Sequence, residues 1–239
     1  MRSGSNLVVA ALWIFLALVP FASSPDVVAA APDQRNLPAI LQQLNNAAAN
    51  FRSTSANFEF DSIQTDPIPD TEKQTGTVDY ERKNNAFQMA AHIDAVNGKP
   101  APKIYTYSKG VFQLYETGID QVTKFAKASQ FESYIILGFG ASGKDLADKW
   151  DITDLGSETI GGTKAEKLEL IAKDPTVRKN LVKVTIWLDL TRAVSLKQVF
   201  DEGQGQSRVC TYSNIKVNQP IAAEEFNFKT DSKTQYVNR

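Results

Sequence analysis

The sequence predicts an α+β chain that is mainly antiparallel β: a large curved sheet with one face covered by helices. Three observations lead there. Apolar residues alternate with polar ones over most of the chain, turn residues punctuate the alternation every ten residues or so, and helical periodicity is confined to two segments. The 239 residues carry 26 Lys+Arg against 27 Asp+Glu, one His, one Cys and 42% hydrophobic residues, enough for a substantial core. A net charge of −1 without a block of like charges leaves no electrostatic footprint for nucleic acid.

The chain begins with an export signal. Arg2 supplies the positive start, Leu7 to Phe21 is almost wholly apolar, and Val28-Ala29-Ala30 offers small residues to a peptidase. Cleavage is expected after Ala30, which leaves residues 31–239 as the mature domain. The apolar run is shorter than the roughly 20 residues of a spanning helix.

Leu37, Ile40, Leu41, Leu44, Ala48 and Phe51 recur at helical spacing, with Asn36 as candidate cap and Pro38 in the first turn. The period then changes to two. Ala56, Phe58 and Phe60 share one face of a strand, and Asn57, Glu59 and Asp61 the other. Alternation continues at Val78 to Arg82, Phe87 to Ile93, Ile104 to Tyr107, Val111 to Tyr115 and Gln121 to Phe125. It resumes at Ala165 to Ile171, Val182 to Leu188, Val194 to Phe200 and Val209 to Ile215. Roughly nine to eleven strands in meander order are expected. Between about residues 128 and 150 the sequence is helical, and Ser142-Gly-Lys-Asp145 has the spacing of a capping box. With the first helix, this segment could cover one face of the sheet.

The chemistry-bearing motifs mostly dissolve on inspection. Gly138-Phe-Gly-Ala-Ser-Gly143 matches a dinucleotide fingerprint but lacks the βαβ context that gives it meaning. As a phosphate loop it carries Asp145 where Ser or Thr should hold magnesium. A hinge between two short helices is the better reading. His92 lies opposite in phase to Met89, Ala91 and Ile93, which turns it to solvent. With one histidine a three-His zinc site is impossible; a Ser-His-Asp or Cys-His arrangement would have to be built around His92, and no GxSxG elbow or paired-nucleophile signature occurs. Cys210, alone, reads as a small strand hydrophobe. No catalytic residue, metal site or cofactor is expected.

What remains is the apolar face. Phe58, Phe60, Val78, Tyr80, Phe87, Met89, Phe112, Leu114, Val184, Ile186 and Leu188, with Leu196 and Phe200, could line the concave side of the sheet. Phe131 and Ile135 of the helical segment would close it. Such a lining either fills the interior or encloses a cavity for acyl chains.

Several stretches resemble the LolA-like family of periplasmic outer-membrane lipoprotein carriers. Ser53-Thr-Ser-Ala-Asn-Phe58 is similar to that family's entrance into its first strand, and Gly76-Thr-Val-Asp-Tyr-Glu-Arg82 with Phe87 to its second and third. Ser108-Lys-Gly110, Tyr115 and Gln121-Val-Thr123 resemble its aromatic hairpin, and Phe226-Asn-Phe228 its closing strand. The resemblance runs from about residue 37 to 230. It implies an incomplete, unclosed β-barrel under a helical lid, acting as a monomeric periplasmic carrier. Such a carrier takes the acyl chains of lipoproteins from an inner-membrane ABC transporter complex to an outer-membrane acceptor lipoprotein. It also implies that Arg82 bonds lid backbone and latches the empty protein shut. The phase of the strand allows this, since Arg82 shares its face with Val78 and Tyr80. Two departures stand out: Lys83 follows Arg82 where the family commonly has Pro, and residues 172–181 are longer and more charged than the usual hairpin. A lipid-binding or envelope-stress-sensing module of the same fold is the alternative role, and an exported hydrolase a third.

Overall fold

The computed structural model describes residues 36–83, 86–125 and 136–238. Among them, helix α1 (Leu37–Asn50) precedes six consecutive strands: β1 (Ser53–Gln64), β2 (Asp70–Lys83), β3 (Ala86–Val96), β4 (Lys99–Ser108), β5 (Val111–Glu116) and β6 (Gln121–Phe125). A short helix, α2 (Gly143–Lys149), then leads into β7 (Trp150–Ile160) and β8 (Thr163–Ala172). One turn of helix, α3 (Pro175–Arg178), is followed by β9 (Lys183–Asp189), β10 (Val194–Gly203) and β11 (Gln206–Val217). A 3₁₀ turn at Ala223–Phe226 and a last strand, β12 (Gln235–Asn238), complete the order.

The described strands form one twelve-stranded sheet in the order β12-β6-β5-β4-β3-β2-β1-β11-β10-β9-β8-β7. Every pairing is antiparallel except β12 on β6, and β7 and β12 are the two ends, so the sheet does not close. This is the unclosed barrel expected of the sequence. The meander is broken between β6 and β7, which do not pair: β1 pairs with β11, which places the first and last long strands side by side, and β12 joins β6.

The helices pack over one half of the sheet. Ile40 and Leu44 of α1 and Leu146 of α2 are buried against Leu168, Leu170, Val184, Ile186 and Leu188 of β8 and β9, together with Trp150. Burying side chains of this size contributes about 1.5–3 kcal/mol each, which anchors the helical layer. Helix α2 begins with the capping box read from the sequence. The Asp145 amide donates to Ser142 Oγ at 3.0 Å, and the Ser142 amide donates to Asp145 Oδ2 at 3.1 Å. Gly143 brings the two helices together, because a Cβ there would collide with the backbone of Leu41.

Four expectations need correction. Trp150 starts β7 instead of ending a helix, because its side chain is drawn into the core while residues beyond it pair with β8. Phe226-Asn-Phe228 is not a strand: Phe226 ends the 3₁₀ turn, and the Phe228 ring stacks on Tyr115 at 5.1 Å. Leu196 points away from the barrel interior, since a bulge between Ser195 and Lys197 breaks the alternation and packs it with Ala165 and Trp187. The glycine segment is not a free hinge. Its Gly140 amide donates to Ala193 O at 2.8 Å, and the Ser195 amide donates to Gly138 O at 2.7 Å. His92 does lie on the outer side, where Nε2 is 2.9 Å from Glu225 O beneath the 3₁₀ turn.

Candidate functional site: an apolar cavity and its latch

The inner face is built row by row from strand register. Phe58 pairs with Tyr212 on β11 and Gly76 on β2, and Phe60 with Cys210 and Gln74. Beside them Val78, Tyr80, Met89, Ala91, Ile93, Tyr105 and Phe112 complete the wall of a cavity of about 460 Å³. Sites for small ligands run from roughly 300 to 1,000 Å³. Gly76 lets this wall form: β2 and β3 approach so closely at a bulge that a Cβ would meet the His92 carbonyl.

Six of the residues predicted to line the interior meet at this cavity: Phe58, Phe60, Val78, Tyr80, Met89 and Phe112. The others do not. Val184, Ile186 and Leu188 are fully packed under α1 and α2, so the barrel has a solid half and a hollow half. Phe87 lies between the cavity wall and the lid, stacked at 6.1 Å on Phe51. Leu114 is half-buried two residues beyond Phe112, and Phe200 packs against the solid half. Phe131 and Ile135 fall outside the described residues. Sequence reasoning missed Tyr105, Tyr212 and Cys210 as lining, although each falls in phase with a lining residue on a neighbouring strand.

Arg82 stands where the cavity wall meets the lid. Nη1 donates to Ala48 O at 2.9 Å and Nη2 to Gly140 O at 2.7 Å, so one guanidinium ties the end of α1 to the glycine segment. The flat faces of Phe51 and Phe87 flank it, at 5.8 and 5.2 Å from the ring centroids. Helix α1 has no basic residue in its last turn, where terminal carbonyls carry partial negative charge. The sheet supplies the cation instead. Arginine's planar fork presents two donors in fixed geometry to the two carbonyls, whereas a lysine would offer one point charge on a flexible stem.

A second polar thread joins the cavity to the same segment. The Tyr212 hydroxyl, hydrogen-bonded with Tyr80 and Cys210, donates to Gln198 Oε1 at 3.1 Å. Gln198 Nε2 then donates to Leu137 O at 2.6 Å. Phe139 lies over this thread, stacked on Tyr80 at 4.2 Å and edge-on to Tyr212 at 4.8 Å. Burial holds both phenols above the ordinary tyrosine range, and they stay neutral.

Burial likewise pushes the Cys210 thiol up to about 12. Only the thiolate alkylates, so iodoacetamide at pH 7 should modify Cys210 on the order of a thousandfold more slowly than a free thiol. Denaturant should restore the ordinary rate. Fast labelling of the folded protein would show that the cavity wall is wet and open.

Among the described residues no group of three or more His, Cys, Asp or Glu could hold a metal ion. Nor is any helix among them long and apolar enough to cross a membrane.

No protein-family model matches the sequence, and no curated protein matches it. Solved structures do. An uncharacterized conserved protein from Thermus thermophilus matches at 11% identity over 84% of this chain and 98% of that one, with a TM-score of 0.53. MucB matches at 13% identity over 87% of this chain and 67% of that one, with a TM-score of 0.50. A LolA superfamily protein from Nitrosomonas europaea is also found, at 14% identity over 80% and 97% of the two chains, with a TM-score of 0.39. This chain has the fold of the Thermus protein and of MucB. At these identities the likeness is one of architecture, and function rests on the residues of the unclosed barrel described above.

Proposed function

We propose that this protein is a periplasmic carrier that shelters acyl chains in the hollow half of its barrel. The observation that carries the reading is an apolar cavity of about 460 Å³ whose wall residue Tyr80 stacks on Phe139, beside the Gly140 that one arginine ties to α1. Each acyl methylene buried is worth about 0.8 kcal/mol, so crossing water between two membranes requires comparable burial in the carrier. Release requires that the burial be reversible. A void serves both needs better than a tight jigsaw, because a guest adds contacts without displacing packed side chains.

On this reading residues 1–30 are a signal peptide, cleaved after Ala30, and the cargo is a lipoprotein. The protein receives its cargo from an inner-membrane ABC transporter complex and delivers it to an outer-membrane acceptor lipoprotein. Arg82 is the latch. Its contacts break as α1 and the glycine segment lift, and the apolar rows of β1, β2, β3 and β11 accept the chain.

Filling the cavity tests the reading. Ala91→Trp places a large side chain in the void, and should weaken binding of an acyl chain carrying an uncharged fluorophore at least tenfold while leaving the melting temperature within a few degrees. Native mass spectrometry of protein taken from the periplasm should find acylated cargo on the parent and none on the variant. A free lipid in place of a lipoprotein would favour a lipid-binding module of the same fold. Undiminished binding by Ala91→Trp would remove the cavity as the site.

A further inference from the structure

The cavity does not end in an apolar wall toward the β1–β2 and β10–β11 hairpins. Register carries the inner face from apolar to polar in four steps across three strands. The row Tyr212, Phe58, Gly76 is followed by Cys210, Phe60, Gln74; then by Arg208, Ser62, Glu72; and last by Gln206, Gln64, Asp70. Ser62 and Arg208 line both the cavity and an adjoining polar pocket of about 280 Å³, so the two spaces are continuous. Glu202, on the next strand, reaches into the polar pocket as well.

The charge of this vestibule is lopsided. Asp70, Glu72 and Glu202 stand against the single cation Arg208, which is already paired, with Nε 3.1 Å from Glu202 Oε1. Glu72 accepts a hydrogen bond from Gln74 at 2.8 Å, which fixes a carboxylate at the boundary between the two spaces. An amphiphile whose chain lies in the cavity must leave its headgroup here. Amides, hydroxyls and carboxylates offer hydrogen bonds to an uncharged polar group, whereas a phosphate or carboxylate headgroup would meet net negative charge.

Resting on the acyl-binding reading, we infer that the polar vestibule selects the headgroup. It takes acyl amphiphiles with an uncharged, hydrogen-bonding headgroup and discriminates against anionic ones.

The test compares two probes with the same chain, dodecyl maltoside and dodecyl phosphate, each below its micelle-forming concentration. Both are titrated calorimetrically into the full chain. The maltoside should bind about tenfold tighter or more at low salt, and the margin should shrink as salt screens the partly exposed charges. In the triple variant Asp70→Asn, Glu72→Gln, Glu202→Gln, Arg208 loses its partner and the phosphate should gain at least tenfold. Equal affinities for the two probes in the parent protein would overturn the headgroup inference and leave acyl binding standing. Tighter binding of the phosphate would overturn it too, with Arg208 as the reason. Binding of neither probe would overturn the acyl-binding reading together with this one.

Discussion

Arg82→Leu is expected to lower stability by about 2–4 kcal/mol and to raise uptake of an apolar fluorescent dye severalfold. The arginine makes two charge-assisted hydrogen bonds, to Ala48 O and Gly140 O, and bonds of this kind contribute about 1.5–3 kcal/mol each. Leucine offers no donor, so the Gly140 carbonyl and the end of α1 must find water, which they reach only if the lid loosens. For a chain of this size the loss should appear as a drop of roughly 5–10 °C in melting temperature. Arg82→Lys should fall between the two, since an ammonium keeps the charge but lacks the planar fork that matches both carbonyls. Cargo retention should follow the same ranking. A leucine variant with parental stability and parental dye uptake would show that the latch contacts have no consequence.

Gly140→Ala should cost at least about 3 kcal/mol, more than its size suggests. Gly140 has φ +70°, a conformation that costs a residue with a Cβ about 1–2 kcal/mol. The added methyl would also stand 2.6 Å from Phe51 Cγ, inside the ring's contact distance, and Phe51 cannot retreat without pressing on Arg82 and Phe87. The two variants disturb one cluster, so their effects should not add. Combined in a double-mutant cycle by urea unfolding, Arg82→Leu and Gly140→Ala should show a coupling of at least about 0.5 kcal/mol. Strict additivity would place the two residues in independent structures.

Much of this architecture was legible in the chain because side-chain alternation is a local signal. Phe58 and Phe60, Val78 and Tyr80, and Met89 declare their shared face through period two alone. The capping box at Ser142 and Asp145 is equally local. What was not legible depends on partners distant in sequence. Val184, Ile186 and Leu188 alternate like the cavity residues, and only the seat of Ile40 and Leu44 upon them decides that their half is filled. β7 escaped notice because Asp151, Asp154, Ser157 and Glu158 dilute its apolar residues, as suits a strand at the rim of a sheet, and because a register shift interrupts its pairing with β8. The four residues of β12 are too few to establish a period. Phe226 and Phe228 have the spacing of a strand, but Phe226 closes the 3₁₀ turn and Phe228 stacks on the distant Tyr115.

The missing seam between β7 and β12 has a mechanical consequence. A closed barrel has a circumference fixed by its ladder, and any swelling must tear backbone hydrogen bonds. Among the described residues no backbone ladder joins the two rims, so the wall can flex outward without tearing one. The container is elastic in the direction in which a bulky guest would push.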